Sequence, residues 1–270
     1  MKFALGVEYD GSRYHGWQRQ KNTPLTVQQE VEKALSVLAA HAVSVTCAGR
    51  TDAGVHAFEQ VIHFETDKVR EMHHWVLGAN SNLPADIRIV WIKEVSQDFH
   101  ARYSATARYY RYEILNRWVK SALYRHHIST IFQPLDSDLM QEAANDLIGV
   151  HDFSSFRAHG CQAKSPIKKM HSISIVRSND KIIIDIIASA FLHHMVRNIV
   201  GTLLPVGLSE KPTTWLRDVL DAKDRKEAGA TAVPNGLYFK GVYYPKRFGI
   251  KAQSAFEPYA DAMEIKPTVN

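Results

Sequence analysis

The sequence predicts an α+β fold built on a mostly antiparallel sheet, and three observations predict it. Apolar residues alternate in short runs along most of the chain. The helix-period segments between these runs do not alternate strictly with them. The second half of the chain resembles the first in element order, without a clear residue-level repeat. The expected architecture is two similar halves sharing one sheet flanked by helices.

In the first half, Phe3, Leu5, Val7 and Tyr9 alternate and end at Asp10-Gly11, a strand running into a turn. Residues 11–24 hold two glycines and a proline with no period, so they read as a loop. Thr26 and Gln29 have capping-box spacing, and Val27, Val31, Leu35 and Leu38 mark a helix to about Ala40. Val43, Val45 and Cys47 alternate as a strand that delivers the chain into GRTDAGVHA. A strand over 60–66, a helix over 67–80, a turn and strand over 82–95, and a strand over 108–116 follow. The last of these puts Tyr110, Tyr112 and Ile114 on one face.

In the second half, a helix over 138–149 precedes HDFSSF. Residues 171–177 and 181–191 read as a hairpin across Ser178-Asn179-Asp180. A long helix over 192–206 carries Met195, Val196, Ile199, Val200 and Leu203, another helix covers 213–222, and 236–245 closes as a strand. The halves are bounded as 1–116 and 117–247, with 248–270 as a polar tail.

A chain of 270 residues, 45% hydrophobic, has ample core for one large domain or two smaller ones. No stretch approaches the length of a membrane span, and the N-terminus carries no signal-peptide pattern, so the expected location is the cytoplasm. Two cysteines, Cys47 and Cys161, are too few for a disulfide framework or a cysteine zinc site, and read as buried free thiols. The net charge of +5 is unevenly spread. Residues 11–29, 99–112 and 157–179 contain arginines and lysines but no acid, as a surface tracking phosphates would.

GRTDAGVHA has the glycine spacing of a phosphate-binding loop, but Val55-His56 stand where lysine and serine or threonine are needed. The glycines instead let a loop turn sharply and hold Asp52 on a fixed platform, which suits a catalytic carboxylate; a plain turn or helix cap is the alternative. Fourteen histidines include the pairs His73-His74, His126-His127 and His193-His194. Adjacent side chains are expected to point to different faces and no HExxH is present, so no metal is expected. RYYRY at 108–112 has the composition of a base-stacking, phosphate-neutralising strand, or of a core strand with tyrosines inward. His194, Arg197 and Asn198 interrupt the apolar face of the helix after Phe191. A half-buried arginine wants an acid, and Asp52 is the candidate partner.

Together YDGSRYHGWQRQ, AGRTDAGVHA, NLPADI, FHARYSATARYYRY, HDFSSFRA and FLHHMVRNIVG resemble the tRNA pseudouridine synthase A family, in order over about residues 3–245. The resemblance implies isomerisation of uridine to pseudouridine at positions 38, 39 and 40 in the anticodon arm of tRNA, by a homodimer that needs no cofactor. It implies that Asp52 is the nucleophile, that Arg197 pairs with it, that Tyr110 stacks on the flipped base and that Arg50 contacts RNA and helps extrude the base. It assigns tRNA contacts to Phe99, His100, Ala101, Arg102 and Tyr103, and to the more variable loop Gly160, Cys161, Gln162, Ala163 and Lys164. A non-catalytic RNA-binding module and a metal-dependent nuclease are the rival readings of the same residues.

Overall fold

The computed structural model describes residues 1–250 apart from Asn22 and Pro24. Its strands are β1 (Lys2–Tyr9), β2 (Thr46–Cys47), β3 (His56–Glu65), β4 (Ile87–Glu94), β5 (Ala107–Asn116), β6 (Ser129–Ile131), β7 (Gly149–Asp152), β8 (Ile167–Ser178), β9 (Lys181–Ala188) and β10 (Leu237–Tyr243). They form one sheet in the order β4-β1-β3-β10-β5-β9-β8-β7, with β2 beside β3 and β6 beside β5. Among the described residues only β10–β3 and β5–β6 pair in parallel, so the α+β class and the mostly antiparallel sheet are as expected.

Five α-helices accompany the sheet: α1 (Val27–Ala39), α2 (Met72–Asn82), α3 (Ser137–Ala144), α4 (Met195–Gly207) and α5 (Trp215–Ala222). α1 and α2 pack on each other near β4, while α3, α4 and α5 pack together by β7 and β8. Phe3, Leu5, Val7, Val31, Leu35, Phe64 and Trp75 fill the core at the first end, and Ile182, Ile184, Ile186, Ile199 and Leu203 fill it at the other. Val37 is exposed, as expected for the outer face of an amphipathic helix.

Several local expectations are corrected. The capping box does not form: the first N–H groups of α1 donate to the carbonyls of Gly16 (3.3 Å) and Trp17 (3.0 Å), and the Thr26 hydroxyl is buried without a partner. Most of 43–49 is not strand, because the N–H of Val43 donates to Ser36 Oγ and that of Val45 to Glu32 Oε1 on α1. Their side chains are buried all the same, which produces the apolar alternation. α2 starts only at Met72, and the helix expected over 138–149 leaves α geometry after Ala144 and becomes β7. β6 and β7, of three and four residues, are too short to show a period.

Two features position the site. β10, the last strand, lies inside the sheet between β3 and β5, with Tyr238 opposite His56 and Phe239 opposite Ala57. α4 begins at Met195 rather than at 192, because His194 has left-handed backbone angles (φ 60°, ψ 5°) that end the preceding turn. Phe248 is buried against Phe99, and the remainder of the expected tail, from 251 on, lies outside the described residues.

Candidate active site

Asp52 stands in the loop joining β2 to β3. Gly54 turns that loop with φ +78°, and the N–H of Val55 closes it on the Asp52 carbonyl at 3.2 Å. Gly49, by contrast, has no left-handed angle; it leaves room for Phe239, whose ring would lie 3.1 Å from a Cβ there. The Gln60 side chain on β3 grips Gly49 at both ends, donating to its carbonyl and accepting its N–H. From the other side, the N–H of Trp17 donates to the Thr51 carbonyl (3.0 Å), the N–H of Gly54 donates to the Tyr14 carbonyl (3.3 Å), and the Tyr9 and Thr51 hydroxyls share a hydrogen bond of 2.7 Å. The loop at 11–17 is therefore a buttress for the loop that carries Asp52.

Facing Asp52 is the start of α4. Arg197 Nη1 donates to Asp52 Oδ2 at 3.1 Å, so the expected partners meet although 145 residues separate them. Arg197 is itself fixed: its Nε donates to the Ala232 carbonyl at 2.7 Å, and its own carbonyl accepts the Ala232 N–H at 3.1 Å. The two side chains are 14% and 23% exposed, so the carboxylate meets its guanidinium in a setting partly withdrawn from water, where loss of one partner strands the other. Asn198, the next residue, is buried and holds the Phe156 carbonyl, Arg225 and the Thr231 hydroxyl; its role is internal.

Asp52 and Arg197 open into a cleft of about 830 Å³ whose walls include Arg50, Arg102, Tyr110, Cys161 and Phe191. Tyr110 reaches it from β5, its ring edge-on to Phe191 and Phe239, each 4.9 Å away. Burial, then the charges of neighbours including Asp52, push its hydroxyl far above the ordinary tyrosine range, so it stays a neutral phenol. Arg50 is exposed, and its Nη1 lies 3.5 Å from Gln162 Oε1, which brings the loop at 160–163 over the same cleft. Lys164 is exposed outside it.

The remaining expectations divide. Phe99 and Ala101 are wholly buried and unable to touch a tRNA: Phe99 packs on Tyr244, and the Ala101 N–H donates to His63 Nδ1. His100 folds under the turn, its Nδ1 accepting the N–H groups of Arg102 and Tyr103. That leaves Arg102 and Tyr103 as the exposed members of the stretch. The arginines of RYYRY are committed to the fold. Arg108 is buried among the carbonyls of Ala48, Arg102, Ala105 and Ser189, and Arg111 pairs with Asp185 at 2.8 Å. Carbonyl oxygens and Asp185 take up these two arginines, so the phosphate-neutralising reading of the strand does not hold for them.

His193 and His194, expected to point to different faces, both turn toward Asp52. The left-handed turn at His194 brings its ring against that of His193, tilted by 44° with 4.0 Å between centroids, and points both Nε2 atoms at Asp52. They lie 3.5 Å from Oδ1 (His193) and 3.4 Å from Oδ2 (His194). Burial depresses the His194 pKa against the opposing pull of Asp52, favouring the neutral ring. A doubled histidine just before a helix start was the available signal. Both thiols are half-buried. Burial pushes Cys47 up to about 12, whereas at Cys161 the burial penalty is outweighed by N–H donors from His193 and Ala163 and by Arg157, which lower its pKa. Among the described residues, no helix is long and apolar enough to cross a membrane.

A family model described as tRNA pseudouridine synthase matches residues 6–104 and 143–245. The chain is 51% identical over 268 residues to tRNA pseudouridine synthase A of Methylococcus capsulatus, covering 99% of this chain and 98% of that one. It is 54% identical over 250 residues to the protein of that name from Pseudoalteromonas atlantica, covering 93% and 95%. With the one from Coxiella burnetii the identity is 55% over 247 residues, covering 92% and 94%.

Proposed function

The chain belongs to the tRNA pseudouridine synthase family, and from that premise we propose that it isomerises uridine to pseudouridine at positions 38, 39 and 40 of the tRNA anticodon arm, with Asp52 as nucleophile. It is an isomerase acting on tRNA. The observation that carries the assignment of Asp52 is the 3.1 Å contact between Arg197 and Asp52 at the wall of a cleft that also holds Tyr110 and Arg50.

The reaction breaks the N1–C1′ bond, turns the base and rejoins it through C5. Asp52 attacks at C1′ or at C6 of the base, and its covalent adduct divides one difficult rearrangement into easier steps. Arg197 orients the carboxylate and stabilises its charge. The target base lies in a stack, and extruding it costs a few kcal/mol. Arg50, at the exposed rim, occupies the space the base leaves, and Tyr110 receives the base against its ring, which offset part of that cost. As a neutral phenol in a buried wall, Tyr110 offers an apolar face without adding charge beside Asp52.

The same reading makes the protein a cytoplasmic homodimer that needs no cofactor. Residues 1–116 and 117–247 are its two α+β halves on either side of the cleft, and 248–270 its tail. The family match supports the halves, since it comes as two segments, 6–104 and 143–245, one in each. Arg102 and Tyr103 from one side and Gly160, Cys161, Gln162, Ala163 and Lys164 from the other contact the tRNA.

The decisive experiment is Asp52→Asn, which keeps size and hydrogen bonding but removes the anionic nucleophile. Isomerisation of a tRNA with uridine at 38–40 should vanish, while tRNA affinity stays near that of the unaltered chain. Turnover by a homogeneous Asp52→Asn protein would sink the assignment.

A further inference from the structure

We propose that Asp52, His193 and His194 form a binding site for a divalent transition-metal cation of the zinc class, and that an ion held there shuts the enzyme off. The left-handed turn at His194 brings the three residues together. In a regular helix or strand two successive imidazoles diverge; here both Nε2 atoms converge on one carboxylate, and the three donor groups lie within 4.8 Å of one another. Neither imidazole hydrogen-bonds to Asp52, whereas Arg197 does.

The spacings of 3.4 and 3.5 Å are long for a hydrogen bond and close to another geometry. Tetrahedral ligands about 2.0–2.1 Å from zinc are roughly 3.3–3.4 Å apart, and each imidazole stands close to that spacing from one carboxylate oxygen, His193 from Oδ1 and His194 from Oδ2. Two neutral imidazole nitrogens and a carboxylate oxygen suit zinc and its first-row neighbours, whereas magnesium and calcium prefer all-oxygen sites. His193 is 47% exposed at the cleft, so a hydrated ion has a way in and keeps water at the fourth position. Arg197 opposes the ion, because its cation already sits 3.1 Å from Oδ2; the site is therefore moderate in affinity rather than tight.

The other convergent group, Asp10, His56 and His127, makes an instructive contrast. There His56 Nδ1 already accepts the Gly11 N–H, His56 Nε2 meets the His126 carbonyl, and Asp10 Oδ1 accepts from both Ser12 donors. Those donor atoms are spent on holding the loop at 126–127 to the one at 10–12. In the group at Asp52 only Oδ2 of that residue is engaged, by Arg197, and neither Nε2 makes a hydrogen bond among the described residues.

Binding does not depend on what Asp52 does in the reaction; only the shut-off rests on the proposed nucleophile role, since a carboxylate bound to a dication cannot attack. The test uses the full chain without tRNA. Cobalt(II) absorbance and zinc(II) calorimetry should show one ion per chain, with His193→Ala and His194→Asn each weakening binding by about tenfold or more. Asparagine tolerates the left-handed conformation, so the second variant keeps the turn. His127→Ala should leave the affinity unchanged. In the pseudouridine assay, zinc should inhibit reversibly on chelation, and the inhibition curve of His194→Asn, scaled to its own metal-free rate, should move to about tenfold higher zinc. No bound ion, or an ion whose affinity falls only in His127→Ala, overturns the site. An ion bound with turnover fully retained overturns the shut-off and the nucleophile reading of Asp52, while the metal site stands.

Discussion

Arg197 and Ala232 hold each other twice: the Ala232 N–H donates to the Arg197 carbonyl, and Arg197 Nε donates to the Ala232 carbonyl. A guanidinium is planar, so fixing Nε on one side sets the direction of Nη1 on the other, and Nη1 is the atom that meets Asp52. The segment before β10 therefore aims the arginine as a bracket aims a tool. A lysine could make one of these contacts but not both.

Arg197→Met should accordingly cost about 10²–10³-fold in turnover, the range for removing one preorganised charge-stabilising donor. Position 197 is half-buried on α4 and methionine is a good helix former of similar length, so the fold persists. Single-turnover rates and tRNA binding measured side by side decide the role. If affinity drops in step with rate, Arg197 is a phosphate contact and not the partner of Asp52. Arg197→Lys should recover only a small part of the loss.

Gly16→Ala tests the buttress. Gly16 has φ +87°, and a Cβ there would fall 2.6 Å from the Thr51 carbonyl, one residue before Asp52. Strain and clash together should destabilise the protein by about 1–3 kcal/mol. The rate should fall more than stability alone explains at a temperature where the variant is fully folded. Thermal unfolding combined with turnover at that temperature separates the two, and an unshifted rate in the folded variant means the loop at 11–17 does not set the position of Asp52.

How much of this was legible in the sequence follows from where information is local. β1, α1, β5, β9 and α4 announced themselves because each buries a periodic face over two turns or more, or over most of a strand. Thr26 misled because a cap is a competition, won here by the Gly16 and Trp17 carbonyls from outside the helix. Val43 and Val45 alternate as a strand does, but α1 side chains satisfy their N–H groups. Asp52 and Arg197 could be paired as a charge in search of a countercharge. The pair His193-His194 was visible as a doublet, but its convergence on Asp52 was not, since that depends on one left-handed residue that no periodic pattern announces. The interior place of β10 is likewise a product of topology rather than of its own seven residues.

The basic residues separate into those the fold uses and those left for a polyanion. Arg102 lines the cleft and Lys164 is exposed next to the loop at 160–163, so Arg102→Ala with Lys164→Ala should weaken tRNA binding and flatten the slope of log K against log salt by about one for each phosphate no longer neutralised. Lys168 and Lys169, in the same acid-free stretch, differ: the Lys168 ammonium already donates to the carbonyls of Ser165 and Ile167, while Lys169 is exposed. Lys169→Ala should therefore change the slope more than Lys168→Ala. Equal salt slopes for the Arg102→Ala, Lys164→Ala double variant and the unaltered protein would place the tRNA on another face.

Acid stability should depend in part on His63, beneath the Phe99–Tyr103 turn. Burial, followed by the nearby charges of His100 and Lys2, lowers its pKa from 6.5 to about 4, and its Nδ1 accepts the Ala101 N–H at 3.1 Å. The folded state thus resists a proton that the unfolded chain takes up near 6.5. A depressed folded pKa contributes stability that is complete above 6.5 and is lost as pH falls toward 4. With allowance for partial solvent access, the loss attributable to His63 should be roughly 1–3 kcal/mol. His63→Gln keeps an acceptor for the Ala101 N–H but does not titrate, so urea unfolding at pH 7 and pH 4.5 should show a smaller drop for the variant than for the unaltered protein. His56, also depressed chiefly by burial, remains in both proteins and cancels from the difference. Identical drops would mean that His63 takes up its proton without opening the turn, and would remove it as the source of acid sensitivity beside Arg102 and Tyr103.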